Sequence, residues 1–166
     1  MKSGKLVLTA LLIALAMIFS YVESLIPYSF AVPGIKMGLP NIVILFALYR
    51  IGWKRGILIS LVRIGLSALL FGNLFSLIYS VSGAVLSLLV MGLLKKTGKF
   101  HTAGISVSGG VFHNIGQIVA AAFILKTTGI VFYLPFLLIS GVLSGIVIGL
   151  IAAVAIRRIP EKLLRQ

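Results

Sequence analysis

The stretch IVFYLPFLLISGVLSGIVIGLIAAVAIRR, residues 130–158, contains 27 residues without a charge and then two adjacent arginines. A helix of this length can cross the ~30 Å hydrocarbon core of a bilayer. Five further apolar runs precede it, which predicts an all-α membrane protein with a six-transmembrane-helix bundle. We expect one domain, residues 1–166, with helices at 5–26, 39–50, 53–71, 73–95, 103–125 and 130–157.

The 15 lysines and arginines indicate how these helices are oriented. Twelve of them lie before the first run, between the second and third, between the fourth and fifth, or after the last. Lys36 and Lys126 fall in the intervening gaps, and Arg63 lies inside the third run. Basic residues are retained in short cytoplasmic loops during insertion. We therefore expect a multi-pass protein of the cell membrane with both termini in the cytoplasm.

Composition excludes several classes of protein. The chain has 166 residues, 60% hydrophobic and 10% charged, with a mean hydropathy of +1.22, which is too apolar for a soluble domain of this size. A net charge of +13 would suggest nucleic-acid binding in a soluble protein. Here the charge is spread over predicted cytoplasmic loops beside anionic lipid, so we expect membrane lipid and no nucleic acid as a partner.

The scarcity of acidic residues argues against catalysis. Aspartate and cysteine are absent, and the acidic side chains are Glu23 and Glu161. This removes thiolate metal sites and most metal-dependent or hydrolytic chemistry. No GxxxxGK[ST] motif is present, so the chain lacks a P-loop for ATP. We expect no enzyme activity, no metal and no cofactor.

Polar residues predict a substrate site in the outer half of the membrane. An arginine at the centre of a span costs about 2.5–3.5 kcal/mol on insertion scales, so Arg63 should face a partner or a cavity. His113 and Gln117 are four residues apart, hence on one helical face. The candidate substrate-binding residues are Arg63, His113, Gln117, Asn41, Asn73, Asn114 and Glu23.

Structural alternatives exist for the two strongest candidates. Arg63 can pair with Glu23, or donate to backbone carbonyls, and so hold the bundle together without a ligand. His113 can form a hydrogen bond between helices. A single histidine without a nearby carboxylate or thiolate does not make a metal site.

Short or interrupted helices are a further pointer to a binding site in a transporter. The second helix is short for a full crossing, which tilt or burial against neighbours would accommodate. The fifth helix contains four glycines, so we expect it to be irregular. The loop before the second helix supplies candidate lid residues, although its aromatics also suit a membrane interface; the lid residues are Tyr28, Phe30 and Lys36.

Two patterns of small residues predict close helix contacts. Gly141, Gly145 and Gly149 form a repeated GxxxG pattern on the sixth helix, for which packing inside the bundle is the favoured interpretation. Ala10 and Ala14 form an AxxxA pattern on the first helix. These alanines either pack internally or dock against another membrane subunit.

Three motifs resemble a known family. PGIKMGLPN (residues 33–41), FGNLFSLIYS (71–80) and GGVFHNIGQ (109–117) are similar to the Gx transporter family, many of whose members carry the label heptaprenyl diphosphate synthase component I. That family in turn resembles the substrate-binding S components of energy-coupling factor (ECF) importers. The likeness covers essentially the whole chain.

The resemblance implies a fold and partners. S components are six-helix proteins with an outer-side vitamin pocket, a capping loop after the first helix and an AxxxA face that Ala10 and Ala14 match. The implied partners are a coupling transmembrane subunit and two cytoplasmic ATPases, and the implied ligand is a small vitamin-like molecule or a quinone or flavin precursor. The synthase label implies the alternative, a non-catalytic membrane accessory of heptaprenyl diphosphate or menaquinone biosynthesis. The reaction that this label implies, prenyl chain elongation, would use aspartate-rich motifs to hold magnesium. This chain has no aspartate, so it is not expected to hold the active site.

Overall fold

The computed structural model describes residues 2–26 and 37–159. In these ranges the backbone forms six α-helices, one short 3-10 helix and no strand, which confirms the all-α class. The 3-10 helix, Gly129–Tyr133, directly precedes the last α-helix. The α-helices are α1 (Lys2–Ser24), α2 (Pro40–Arg50), α3 (Trp53–Phe71), α4 (Leu74–Thr97), α5 (Thr102–Leu125) and α6 (Leu134–Arg158).

Local sequence signals determine several helix ends. Pro40 and Pro135 lie in the first turns of α2 and α6, where the missing N–H of proline costs no helical hydrogen bond. Asn73 caps α4, because its side chain accepts a 2.8 Å hydrogen bond from the backbone N–H of Ser76. Gly98 follows α4 with φ +67°, a left-handed conformation typical of helix C-termini.

Four segments of the described chain are long and apolar enough to cross a membrane: Gly4–Ser24, Leu74–Thr97, Thr102–Leu125 and Gly129–Arg158. The remaining helices depart from this pattern for different reasons. Helix α2 has 11 residues, and α3 contains Lys54, Arg55 and Arg63 within its 19 residues. A membrane location is therefore supported, whereas the six crossings and the cytoplasmic termini stay predictions.

The outer surface of the bundle is apolar, as a lipid environment requires. Leu69, Phe123 and Phe132 are each more than 80% exposed. Exposed apolar surface on this scale is unusual for a soluble monomer. These side chains are therefore placed to contact lipid.

Helix α2 lies at the centre of the bundle. It packs against α1, α3 and α6, and its residues 43–48 are all buried. A helix that is apolar all round belongs in a protein interior. Burial against neighbours, one of the two expected solutions, therefore accommodates its short length.

The start of α2 is level with the middle of α6. A Cβ added at Gly38 would lie 3.3 Å from Ile148 Cδ1, and the Arg50 guanidinium donates to the Ile156 carbonyl oxygen. Ile148 is 14 residues from the start of α6, which is about 21 Å along a helix. Helix α2 therefore flanks the C-terminal half of α6.

Basic residues from three of the predicted cytoplasmic segments lie at one end of the bundle. Lys95 Nζ donates to the Leu48 carbonyl oxygen and lies 4.8 Å from the centre of the Tyr49 ring. Arg50 reaches the Ile156 carbonyl, next to the arginines that end α6. Cations near the carboxyl end of α2 also interact favourably with its dipole. The shared end agrees with alternating crossings, and the side of the membrane that it faces stays a prediction.

The expectation that the fifth helix is irregular is wrong. Helix α5 is continuous from Thr102 to Leu125, and its glycines allow close approach to neighbours. A Cβ at Gly116 would lie 2.7 Å from the Ser82 carbonyl of α4, and one at Gly110 would lie 2.5 Å from the Gly141 carbonyl of α6. Small residues at such contacts let helix backbones approach each other.

The glycine pattern of α6 packs inside the bundle, as predicted. Gly141, Gly145 and Gly149 are buried and face α5. A Cβ at Gly145 would lie 2.6 Å from Val107 Cα, and one at Gly149 would lie 2.6 Å from Ala103 Cα. Contacts of α5 with α6 and α4 are the most extensive between described helices.

Candidate functional site

A small cavity lies inside the bundle at the N-terminal end of α2. Its volume is about 60 Å³, which is room for several water molecules, since about 10–15 Å³ of such volume holds one. Such a space accommodates a compact polar group, since pockets for whole drug-sized ligands measure about 300–1,000 Å³. Six of the seven candidate substrate-binding residues line it: Glu23, Asn41, Arg63, His113, Asn114 and Gln117. Their role in binding stays a prediction.

Arg63 brings a positive charge to this cavity from α3. Its Nη1 lies 3.5 Å from Ser20 Oγ on α1, the outer limit of a weak hydrogen bond. Its Nε is buried and has no hydrogen-bond partner among the described residues. Glu23 attracts the guanidinium electrostatically. Arg63 therefore retains unused donor capacity beside the cavity, even though Glu23 partly compensates its charge.

Glu23 connects the end of α1 with the start of α2. The side chain is buried, with 8% of its surface exposed, and one carboxylate oxygen accepts a hydrogen bond from the Gly38 N–H. A buried carboxylate needs such donors to offset the loss of water. Glu23 thus has a structural role in positioning α2, in addition to lining the cavity.

Asn41 lies in the first turn of α2, whose positive dipole end faces the cavity. The N–H groups of Asn41 and Ile42 already donate to the carbonyls of Gly38 and Leu39, at 2.8 and 3.1 Å. Pro40 has no N–H to offer. The backbone therefore contributes a dipole rather than free donors, and the Asn41 amide is the group available to a ligand from this helix.

Helix α5 supplies the opposite wall. His113, Asn114 and Gln117 all line the cavity, which agrees with the spacing of four between the histidine and the glutamine. Asn114 Nδ2 donates to the Leu137 carbonyl of α6 at 2.5 Å, so this amide also joins α5 to α6. Gly83 lets α4 approach, since a Cβ there would lie 2.7 Å from the His113 carbonyl.

Sequence reasoning missed the small polar residues of the cavity. Its lining includes four serines, and those at positions 87 and 106 are almost fully buried. A signal was present, because Ser106 precedes His113 by seven residues and Ser80 precedes Ser87 by the same interval. A spacing of seven returns to the same helical face. The missed serines are Ser80, Ser87, Ser106 and Ser144.

Asn73 does not join the other candidates. It lies in the connection between α3 and α4, is exposed, and uses its side chain to cap α4. It is not among the residues that line the cavity. The hydrogen bond that caps α4 holds the Asn73 side chain at the surface, away from the predicted site. The candidate lid residues Tyr28, Phe30 and Lys36 lie outside the described residues.

Ala10 and Ala14 are exposed on α1 and do not line the cavity. Leu12 and Ala16 are the residues of this region of α1 that face the core. The AxxxA pattern therefore packs against no other described helix. Its flat surface is open to lipid or to another protein.

The cavity brings together polar side chains of several chemical types. It combines one arginine, amides, hydroxyls and an imidazole with a single carboxylate. Among the described residues, no group of three or more histidine, cysteine, aspartate or glutamate side chains could hold a metal ion. Such a donor-rich set favours a ligand with an anionic or carbonyl-containing group.

A protein-family model described as heptaprenyl diphosphate synthase component I matches residues 12–155. The chain belongs to this family. The match extends from α1 to α6 and confirms the family label that the three motifs indicated. Neither the comparison with curated proteins nor that with solved structures found a match. The chain is thus a membrane-associated component, and its described residues form helices and no strand.

Proposed function

We propose that the protein is the substrate-binding subunit of an ECF-type ATP-dependent importer. It would capture a small molecule, such as a vitamin or a quinone or flavin precursor, from outside the cell. The observation that carries this proposal is the polar cavity of Arg63, Asn41, His113 and Gln117, enclosed by helices whose outer surface is apolar. Polar and ionisable groups at membrane depth are costly and typically mark a substrate pathway.

The charge of Arg63 supports an anionic or strongly polar ligand group. A hydrogen bond to a charged group contributes about 1.5–3 kcal/mol, and an unpaired buried donor costs a comparable amount. Arg63 Nε has no partner among the described residues. A ligand that accepts from this guanidinium would therefore gain affinity both from the new bond and from relief of that penalty.

The exposed alanines of α1 support a second part of the proposal. Ala10 and Ala14 would dock against a coupling transmembrane subunit, since small residues allow close helix approach. Two cytoplasmic ATPases would supply the energy, because this chain has no P-loop motif. Both termini would lie in the cytoplasm, with the cavity open to the outside.

The first experiment identifies the ligand. Small molecules retained through a mild purification of the full chain are detected by mass spectrometry, and binding of the compound found is then measured for Arg63→Ala and for Lys54→Ala. Lys54 is an exposed cation on the same helix that does not line the cavity. We expect Arg63→Ala to weaken binding by about 10- to 150-fold, from the 1.5–3 kcal/mol of a charge-assisted hydrogen bond. Equal affinity for both variants would remove Arg63 from the site.

The second experiment tests the coupling face. Ala14→Leu should abolish uptake and copurification with the coupling subunit while leaving ligand binding intact. Val154→Leu is the control, since it also enlarges an exposed side chain but on α6. If Ala14→Leu instead leaves uptake unchanged, the alanine face has no role in coupling.

The family description favours one alternative function. The protein would be a non-catalytic membrane accessory of a heptaprenyl diphosphate synthase, or of menaquinone biosynthesis. In this alternative the catalytic site would lie on another subunit, since the sequence contains no aspartate. Copurification with a soluble prenyl synthase subunit, without ATPases, would favour this alternative.

A further inference from the structure

An apolar groove runs along the surface between α2 and α6, and we call it the α2–α6 groove. It has a volume of about 460 Å³ and is lined almost entirely by apolar side chains. Its α6 wall extends from Phe136 to Ile151, which is about 22 Å along a helix. Leu39 and Ile42 form the facing wall. The groove therefore has the length and the chemistry to hold a single hydrocarbon chain.

The groove and the polar cavity adjoin each other. Met37, Ser144 and Ile148 line both. The two spaces thus lie next to each other at the level where α2 begins, and a molecule that spans both would pass between these residues. One part of such a molecule would contact Arg63, and the other would lie against α6.

From this junction we infer that the substrate is a single-chain amphiphile with a compact anionic head, either a phosphate or a carboxylate, and a linear apolar chain. The head occupies the Arg63 cavity and the chain occupies the α2–α6 groove. This inference rests on the proposed function and specifies its substrate class. Close packing of the chain against the groove adds dispersion contacts, and the arginine provides charge complementarity for the head.

The sizes of the two spaces favour this ligand over a compact vitamin. The cavity has a volume of about 60 Å³, and the adjoining groove has a volume of about 460 Å³. The groove is therefore the larger of the two spaces, and its lining suits hydrocarbon.

Bulk phospholipid does not fit the same arrangement. Its head group remains at the membrane surface, about 15 Å from the bilayer centre. Ser144 and Ile148, at the junction, are 10 and 14 residues from the start of α6. A head that reaches Arg63 therefore lies deeper than the head group of bulk phospholipid, with its chain along the surface of the bundle.

The test measures binding to the full chain in lipid nanodiscs by calorimetry. The probes are dodecyl phosphate, farnesyl phosphate, dodecanol and inorganic phosphate. We expect both phosphate amphiphiles to bind at least tenfold more tightly than dodecanol or inorganic phosphate, and the ratio between them distinguishes an acyl-like from a prenyl-like chain. Dodecanol binding as tightly as dodecyl phosphate would overturn the inference.

Groove-filling variants provide the structural control. Leu143→Trp and Ile139→Trp place bulk in the groove, whereas Leu150→Trp places it on an equally exposed part of α6 that does not line it. Both groove variants should weaken dodecyl phosphate binding at least tenfold, and Leu150→Trp should not. If the groove variants bind normally while Arg63→Ala abolishes binding, the ligand is compact and only this inference fails. If Arg63→Ala also binds normally, the proposed function of the cavity fails as well.

Discussion

Substitution of Gly149 by alanine tests the close packing of α6 on α5. The added Cβ would lie 2.6 Å from Ala103 Cα and 2.9 Å from Ser106 Cβ. Carbon atoms prefer separations of about 3.5–4.0 Å, so the two helices would have to separate locally by roughly 0.9 Å. The atom nearest to the new methyl group belongs to the backbone, which cannot rotate away as a long side chain can. Overpacking of this kind costs about 1–3 kcal/mol.

Gly104→Ala is the matched control. Gly104 also lies within a helix, α5, but a Cβ there would meet no atom within 4 Å. Both substitutions remove the same glycine flexibility, which is worth about 0.5–1 kcal/mol in a helix. The difference between the two variants therefore isolates the contact between α5 and α6.

The assay is unfolding by sodium dodecyl sulfate in mixed micelles, followed by circular dichroism. We expect Gly149→Ala to have a free energy of unfolding about 1–3 kcal/mol lower than that of Gly104→Ala. Gly149 does not line the cavity, so the folded variant should still bind ligand. Equal free energies of unfolding for the two variants would refute the tight contact and, with it, the structural role of the glycine pattern.

Three further predictions concern individual side chains. Asn73→Ala should lower the free energy of unfolding by about 0.5–2 kcal/mol through loss of the α4 cap, with ligand affinity unchanged in calorimetry. Glu23→Gln keeps a hydrogen-bond acceptor but removes the charge that attracts Arg63, so affinity for an anionic ligand should rise. The chain has no cysteine, and Thr97 and Thr127 are both exposed. The predicted orientation places Thr127 outside the cell and Thr97 inside. In intact cells, an impermeant maleimide should therefore label Thr127→Cys and leave Thr97→Cys unlabelled.

Each of these has an opposing outcome. A loss of ligand affinity in Asn73→Ala would return that residue to the binding site. If Glu23→Gln loses stability without gaining affinity, Arg63 and Glu23 act as a structural pair. Labelling of Thr97→Cys from outside, with Thr127→Cys protected, would reverse the predicted orientation.

Helix positions follow from local sequence, and the structure places most helix ends within a few residues of the predicted ones. Helix α3 spans Trp53–Phe71, the same residues as predicted, because charged residues mark its start and a glycine follows its end. The last helix shows the limit of this reasoning. Its predicted first turn is the 3-10 helix Gly129–Tyr133, a difference in backbone geometry that an apolar pattern does not reveal.

The candidate site was predictable where it depended on helical spacing. His113 and Gln117 share a face because they are four residues apart, and the cost of a buried charge indicated that Arg63 faces the interior. Asn73 was placed with them because of its position near a predicted helix end. Its side chain instead accepts the capping hydrogen bond from Ser76, so it does not turn toward the cavity. Composition alone does not show which of these two positions the side chain takes.

The sequence by itself determined the membrane class, the all-helical architecture, the family and the face of α5 that carries the polar residues. These follow from hydropathy, charge and spacings within one helix, which are local properties of the chain. Tertiary structure alone decided that α2 is buried at the centre, that α5 remains continuous against two neighbours, and that the Arg63 cavity adjoins an apolar groove. Those features depend on which surfaces of different helices meet, and a linear sequence contains no distance between residues that are far apart along it.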